Sequence, residues 1–490
     1  MLSILKSNKN NVYLLLVLVI IYVVTRLPHM FIMPFVMDES IYSVVISEQV
    51  GNVSLTPTFL GYSISWKPFL FFSIYSLFPQ FSFLPLEVSY RFPSFIFGLF
   101  TIFVLFKTLR NIGASTNVAF LTMIAFIVSF VSMYTNAAVL SDTLAFLLIC
   151  CSLYLYTEKK LPYYRFIIAG ICAFLAFFIK SIVVLMIPIL VVAYFYQHDR
   201  KLLSNPLFLA SFVLIPLAFF IHFTMLNSVS LGEEFYLSDI GNRLGFGGGF
   251  VKPVSHFIGS IHALLAGTGI WVALSFYGIW KYWEENLCMS VWYTLSIFPL
   301  ISAYYMPWYF LPVLPAISYF AVLALIRWEG KEKMDTFFAA FFCLAIIATI
   351  AMCTMNYFML YHKHIDEKEA GLILSGKDKV LILGDYAPGI IAYKTLDEKR
   401  SGNVKDVGWI MGIPLVFNST QANEFFYDYH LDKYNVTNGS FSSIFTSKTI
   451  FRKDCNITNF DYVVIVGHDD INITGEIIYS SPTISLYLLD

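Results

Sequence analysis

Charge is scarce in this chain. Only 13% of its 490 residues are Asp, Glu, Lys or Arg, against 58% hydrophobic and 18% aromatic. Soluble chains carry roughly 25% charge, so too little is present to cover a water-facing surface of this size. A soluble enzyme, a disordered chain and a nucleic-acid binder are excluded. The net charge of −1 supplies no field to recruit polyanions. Cysteine is also sparse. Cys150, Cys151, Cys172, Cys288, Cys343 and Cys353 lie in apolar runs, where cysteine acts as a small hydrophobe, and Cys455 stands apart in a polar tail. No disulfide framework is suggested. The first apolar run, Asn11 to Thr25, is followed by bulky residues rather than an A-x-A site, which argues against a cleaved signal peptide. C-x-x-C, G-x-G-x-x-G and P-loop spacings are absent, and no internal repeat is evident.

What is present is apolar length. Runs near 12–25, 92–106, 116–138, 141–157, 163–179, 181–198, 205–226, 260–283, 287–304, 309–326 and 336–360 predict a polytopic α-helical membrane protein of about eleven spans. Basic residues concentrate in cytoplasmic loops. A cytoplasmic N-terminus puts 13 of the 31 Lys and Arg in short inner segments and 6 in the longer outer loops, with 12 in the tail after 360. The tail is then extracytoplasmic, in the plasma membrane or the endoplasmic reticulum. The outer loops run over 26–91 and 227–259. Phe69 to Phe78 is apolar but too short to span and reads as interfacial or re-entrant. Six sequons, at Asn52, Asn418, Asn435, Asn438, Asn456 and Asn472, all fall on the expected outside.

Residues 1–360 are therefore expected to form a transmembrane domain and 361–490 a small soluble α/β domain. In the tail, 379–384 and 461–467 read as buried strands, 412–417 and 483–489 as further candidates, and a helix starts near Gly389. Gly384-Asp-Tyr-Ala-Pro-Gly389 follows a strand as a nucleotide loop does, although an ordinary strand-to-helix turn explains it as well.

The unusual polar residues share the outer side. Asp38 and Glu39 open the first outer loop ahead of an amphipathic helix over Ile41 to Val50. Such a pair can be tuned as a base or bind a metal, or it can cap the helix. Lys67 precedes the re-entrant run and Arg91 opens the second span. Either can hold a phosphate or flank the membrane. Asp142 and Lys180 are lone charges at outer span ends, where a charge faces a cavity or a partner. The loop 227–259 carries Glu233-Glu234, Asp239, Arg243, Lys252, His256 and several glycines, as a lid or a connector would. Trp308 and Tyr309 belong to an aromatic run, Tyr304 to Pro315, that forms a membrane belt or stacks on a sugar.

Taken in order, these features resemble the GT-C glycosyltransferases of the dolichyl-phosphate-mannose–protein mannosyltransferase and lipid A aminoarabinose transferase kind, over roughly residues 10–330. The features are Asp38-Glu39 opening a long outer loop, Lys67-Pro68 before a re-entrant run, Arg91-Phe-Pro93 opening the second span, Asp142 at the next outer turn and a late Tyr-x-x-Pro-like segment. The resemblance implies inverting transfer from a polyprenyl- or dolichyl-phosphate sugar to a protein, lipid or glycan acceptor at the outer face. It implies Asp38 as catalytic base or acceptor-orienting carboxylate, with Glu39 in support. Lys67 and Arg91 would hold the donor phosphate or order the loop, a further phosphate contact would move to Lys180, Arg243 or Lys252 or be lost, and Asp142, Trp308, Tyr309 and His256 would contact substrate. Any cofactor would be Mg²⁺ or Mn²⁺ held by carboxylates such as Asp38 and Asp142. Two departures stand out. No basic residue precedes Tyr305-Met-Pro-Trp308, and Lys67-Pro68-Phe69 replaces a common Lys-Pro-Pro. The Trp-Trp-Asp and His-Lys-Glu motifs of other GT-C enzymes are absent. A lipid-linked sugar flippase or secondary transporter is the alternative, predicting midplane charges and a repeat. A non-catalytic GT-C scaffold is a third reading.

Overall fold

The computed structural model describes residues 8–227, 253–295, 307–327, 334–377, 380–384, 388–401, 409–411, 461–467 and 475–489, less 52, 56, 60, 61, 64–68 and 79–82. Lys67, Arg243, Lys252, the six sequons and the strand expected at 412–417 lie outside these residues. The chain divides into two compact units. One takes in Met1–Ile32, Glu48–Gln80 and Val88–Phe358; the other takes in Met33–Ser47, Phe81–Glu87 and Met359–Asp490.

The first unit is helical, and every expected apolar segment contains helix. α1 spans Asn8–Ile32. α2 (Asp38–Gln49) starts in the other unit and ends in this one. A two-residue hairpin, β1 (Thr58–Phe59) with β2 (Tyr62–Ser63), follows. α3 (Leu70–Ser76) is a single short helix, too short to cross a bilayer, with Phe71, Phe72 and Tyr75 buried. Then come α4 (Leu86–Asn111), α5 (Thr116–Val128), α6 (Phe130–Thr135), α7 (Ser141–Thr157), α8 (Arg165–Phe177), α9 (Met186–His198) and α10 (Pro206–Asn227). α11 (Pro253–Thr268), α12 (Ile270–Tyr282), α13 (Leu287–Thr294) and α14 (Leu314–Ile326) follow, and α15 (Met334–Ile373) runs into the other unit.

Four helices among the described residues are long and apolar enough to cross a membrane, or five when α11 and α12 count as one broken span. Five shorter apolar helices are also present among the described residues. The chain is a multi-pass membrane protein. Two departures from the expected spans trace to single residues. α1 does not stop at Thr25 but runs on to Ile32, because Arg26 is satisfied inside the unit rather than at its edge. The span expected over 260–283 is bent by 99° at Gly269, whose φ of +63° only glycine adopts freely.

In the second unit, a five-stranded sheet has the order β4-β3-β5-β7-β6. β3 (Val380–Gly384) pairs parallel with β4 (Trp409–Met411) and β5 (Tyr462–Val466). β7 (Ile484–Leu488) runs antiparallel between β5 and β6 (Glu476–Ser480). α16 (Pro388–Ser401) follows β3. The apolar run 483–489 forms β7, and the more exposed β6 had no signal in the sequence. The first turn of α16 is already taken. The Gly389 amide donates to Glu367 Oε2 at 2.8 Å, and a Cβ on Gly389 would sit 2.5 Å from that oxygen. A side-chain carboxylate thus occupies the place a nucleotide phosphate would need.

Candidate functional site

The site candidates divide between the two units. In the second, α2 begins at Asp38. Glu39 is fully buried; its Oε2 accepts from the Val36 amide at 3.3 Å, while the Glu39 amide donates to the Val36 carbonyl at 3.0 Å. This carboxylate serves the entry into the helix, as N-terminal acidic groups do. Asp38 is half-buried, and the Tyr42 hydroxyl donates to its Oδ2 at 3.4 Å. Met37, just before, has φ +44°, a left-handed conformation unusual for methionine. The sharp turn it makes sets the start of α2 at Asp38.

In the first unit, Lys180 and Asp142 meet. Asp142 lies in the first turn of α7, where the helix dipole favours a carboxylate. Lys180 lies at the break between α8 and a 3-10 turn over Ser181–Leu185. Both are buried, at 8% and 4% exposure for Lys180 and Asp142, and Lys180 Nζ donates to Asp142 Oδ1. The ammonium also lies 4.8 Å from the centre of the Tyr309 ring, a cation–π distance. Tyr309 and Trp308 form a short 3-10 turn, Pro307–Phe310. Trp308 stacks on Tyr134 with ring centres 5.7 Å apart and planes at 23°. Tyr134 in turn receives His29 edge-on at 5.1 Å and 79°.

Arg91 is fully buried on α4 and donates to the His29 carbonyl at 2.7 Å, in the last turn of α1. One of its nitrogens therefore holds a helix C-terminus, a natural use of a cation. α3 ties into the same region. Tyr75 Oη bonds Ser94 Oγ of α4 at 2.8 Å and donates to the carbonyl of Leu140, just before α7, at 3.4 Å. Phe69, at the head of α3, packs edge-on against Phe178 at 5.8 Å, two residues before Lys180. The end of the Lys67-Pro68-Phe69 motif that is described therefore meets the turn carrying Lys180.

Asp142, Lys180, Tyr309, Trp308 and Arg91 are thus linked contact by contact, through Tyr134 and His29. Sequence reasoning missed these last two. Tyr134 looked like one more aromatic near a span end, and His29 fell in what was read as loop. His256 stands near the start of α11. As to a divalent cation, no group of three His, Cys, Asp or Glu able to hold one occurs among the described residues. The Asp142 carboxylate is engaged by an ammonium, which an incoming metal would have to displace. Asp142, so engaged, does not fit a metal.

Residues 67–225 match the family model of dolichyl-phosphate-mannose-protein mannosyltransferases. No curated protein matches the chain by sequence. Among solved structures, ArnT from Cupriavidus metallidurans bound to undecaprenyl phosphate aligns with a TM-score of 0.65 at 13% identity, over 98% of each chain. An oligosaccharyltransferase from Archaeoglobus fulgidus, tethered to an acceptor peptide, aligns with a TM-score of 0.56 at 13% identity, over 95% of this chain and 70% of that one. The archaeal oligosaccharyltransferase AglB from the same organism, in complex with an inhibitory peptide and a dolichol-phosphate, gives 0.55 at 14% identity, over 93% and 69%. At such identities the likeness is one of fold. The chain has the fold of the GT-C membrane glycosyltransferases and, over residues 67–225, resembles the dolichyl-phosphate-mannose–protein mannosyltransferases in sequence.

Proposed function

We propose that the chain is an inverting glycosyltransferase that moves a sugar from a polyprenyl- or dolichyl-phosphate donor to an acceptor at the outer face of the membrane. The observation that carries this reading is the buried Lys180–Asp142 pair beside Tyr309 and the Trp308–Tyr134 stack. A cation held by a carboxylate can turn to a departing phosphate, and flat aromatic faces suit a sugar ring. The match to mannosyltransferases and the solved neighbours bound to undecaprenyl phosphate and dolichol-phosphate support the same donor class.

In this reading the acceptor oxygen attacks the anomeric carbon. The new C–O bond forms as the bond to the phosphate oxygen breaks, and polyprenyl phosphate leaves with the electron pair. Asp38 takes the acceptor proton, with Glu39 fixing the helix entry around it. Lys180, with Lys67, Arg91 and Arg243, balances the phosphate. Asp142, Trp308, Tyr309 and His256 orient the sugar. The N-terminus is cytoplasmic and the tail extracytoplasmic, after about eleven crossings.

Asp38→Asn in proteoliposomes supplied with polyprenyl-phosphate sugars and protein, lipid and glycan acceptors tests this. Transfer is expected to be lost while expression stays normal. Unchanged transfer removes Asp38 as the base. Donor movement across the bilayer without transfer by the unaltered chain favours the flippase.

A further inference from the structure

Arg26 lies well inside α1 and is fully buried. Among the described residues its partners are all neutral. Nη1 donates to the Ile127 carbonyl at 2.7 Å and to Thr25 Oγ1 at 2.5 Å; Nη2 donates to Ser132 Oγ at 2.7 Å; and the guanidinium lies 4.4 Å from the centre of the Tyr22 ring. A cation buried within the bundle without a carboxylate is costly, so an arginine here calls for a specific task.

That task is visible in what the two nitrogens reach. Ile127 is in the last turn of α5, and Ser132 is in the first turn of α6. Between them Ser129 is extended, with φ −69° and ψ 143°, and breaks the helix. A break leaves carbonyls of the preceding turn without partners. The guanidinium fork takes one of them and reaches across the break to the next helix. Ser132 Oγ also accepts from Asn136 Nδ2 at 3.2 Å, so the same hydroxyl ties down both ends of α6. α6 carries Tyr134, the ring that stacks on Trp308. Tyr22, Arg26 and His29, at spacings of four and three, present one face of α1 to this element. Tyr22 Oη reaches the Asn136 carbonyl at the end of α6 at 3.4 Å, besides the Phe95 carbonyl of α4 at 2.8 Å, and the His29 ring meets Tyr134.

We propose that Arg26 is a positioning residue: its guanidinium clamps the α5–α6 break and so holds Tyr134 against Trp308, the aromatic wall for the donor sugar. The last clause rests on the glycosyltransferase reading; the clamp does not. Lysine would keep the charge but, as a single ammonium, could not serve both sides of the break.

Arg26→Lys and Ser132→Ala in the full chain, reconstituted in nanodiscs, decide it. The Trp308 contribution is read as the fluorescence difference between each protein and its Trp308→Phe counterpart. It is expected to shift to longer wavelength in Arg26→Lys and less so in Ser132→Ala. For a polyprenyl-phosphate sugar, KM is expected to rise roughly fivefold to tenfold in Arg26→Lys with kcat within about twofold, the split left by a loosened binding contact. An unchanged Trp308 difference spectrum overturns the clamp. A changed spectrum with unchanged KM overturns its role in donor binding. If Arg26→Lys does not accumulate, Ser132→Ala decides alone. If the unaltered chain transfers from no polyprenyl-phosphate donor, the glycosyltransferase reading fails, and the spectra still decide whether Arg26 is the clamp.

Discussion

Lys180 and Asp142, 38 residues apart, neutralise each other where neither could stand alone. Removing one partner of a buried pair leaves the other charge without compensation, at a cost of about 3–5 kcal/mol, whereas replacing both by apolar groups is often close to neutral. Asp142→Asn is therefore expected to lower the thermal unfolding midpoint of the detergent-purified protein sharply, and Asp142→Leu/Lys180→Met to restore most of it. The double variant should remain inactive, since the reading gives both residues a place at the donor. A midpoint unchanged by Asp142→Asn would mean that the pair is solvated. Both charges were legible in the sequence, because a lone charge in an apolar run is conspicuous. Their pairing was not, because it depends on α7 and the end of α8 meeting. Arg26 was misplaced for the opposite reason: a charge satisfied inside the bundle looks, in a hydropathy profile, like the end of a span.

Helices α12 and α14 approach until backbone meets backbone. A Cβ on Gly278 would stand 1.9 Å from the Phe320 carbonyl oxygen. Gly98 is similar, since a Cβ there would meet Tyr22 Oη at 2.2 Å and the Asn136 side chain at 2.8 Å. Without a hydrophobic drive between helices in lipid, small residues allow the close packing that holds them. Alanine is the better helix former by about 1 kcal/mol, but at Gly278 the clash is with backbone and can be relieved only by parting the helices. Gly278→Ala is expected to cost a net ~1–3 kcal/mol, read as a lower unfolding midpoint. A midpoint at or above that of the unaltered protein would show that the two helices do not approach so closely. Apolar length made the helices legible, since each needs only about 20 residues of low polarity. The bend at Gly269 and the break at Ser129 were not, because a window average passes over a single backbone angle.

On the scale of the whole chain, the second unit is assembled from three stretches, and a boundary drawn at 360 cuts two of them away from the third. Composition changes at the tail, whereas the grouping of 33–47 and 81–87 with it depends on contacts far apart in sequence. Tyr393 of α16 is the junction. Its hydroxyl accepts from the Phe35 amide at 2.8 Å and donates to Glu87 Oε1 at 2.7 Å, and Lys368 Nζ meets the same oxygen at 2.5 Å. The Tyr393 and Phe35 rings lie 5.2 Å apart, and Lys399 Nζ donates to Ser47 Oγ at 2.9 Å. The segment carrying Asp38 is thus anchored at both ends to the helix that follows β3. Tyr393→Phe keeps the ring contact but leaves the buried Phe35 amide without this acceptor, a loss of about 1–3 kcal/mol. Because that amide lies three residues before Asp38, the variant is expected to lose kcat more than donor affinity and to make the 33–47 segment more open to proteolysis. Equal protease resistance with unchanged kcat would show that this anchor does nothing for the proposed base. Faster cleavage with full kcat would show that Asp38 does its work without being held.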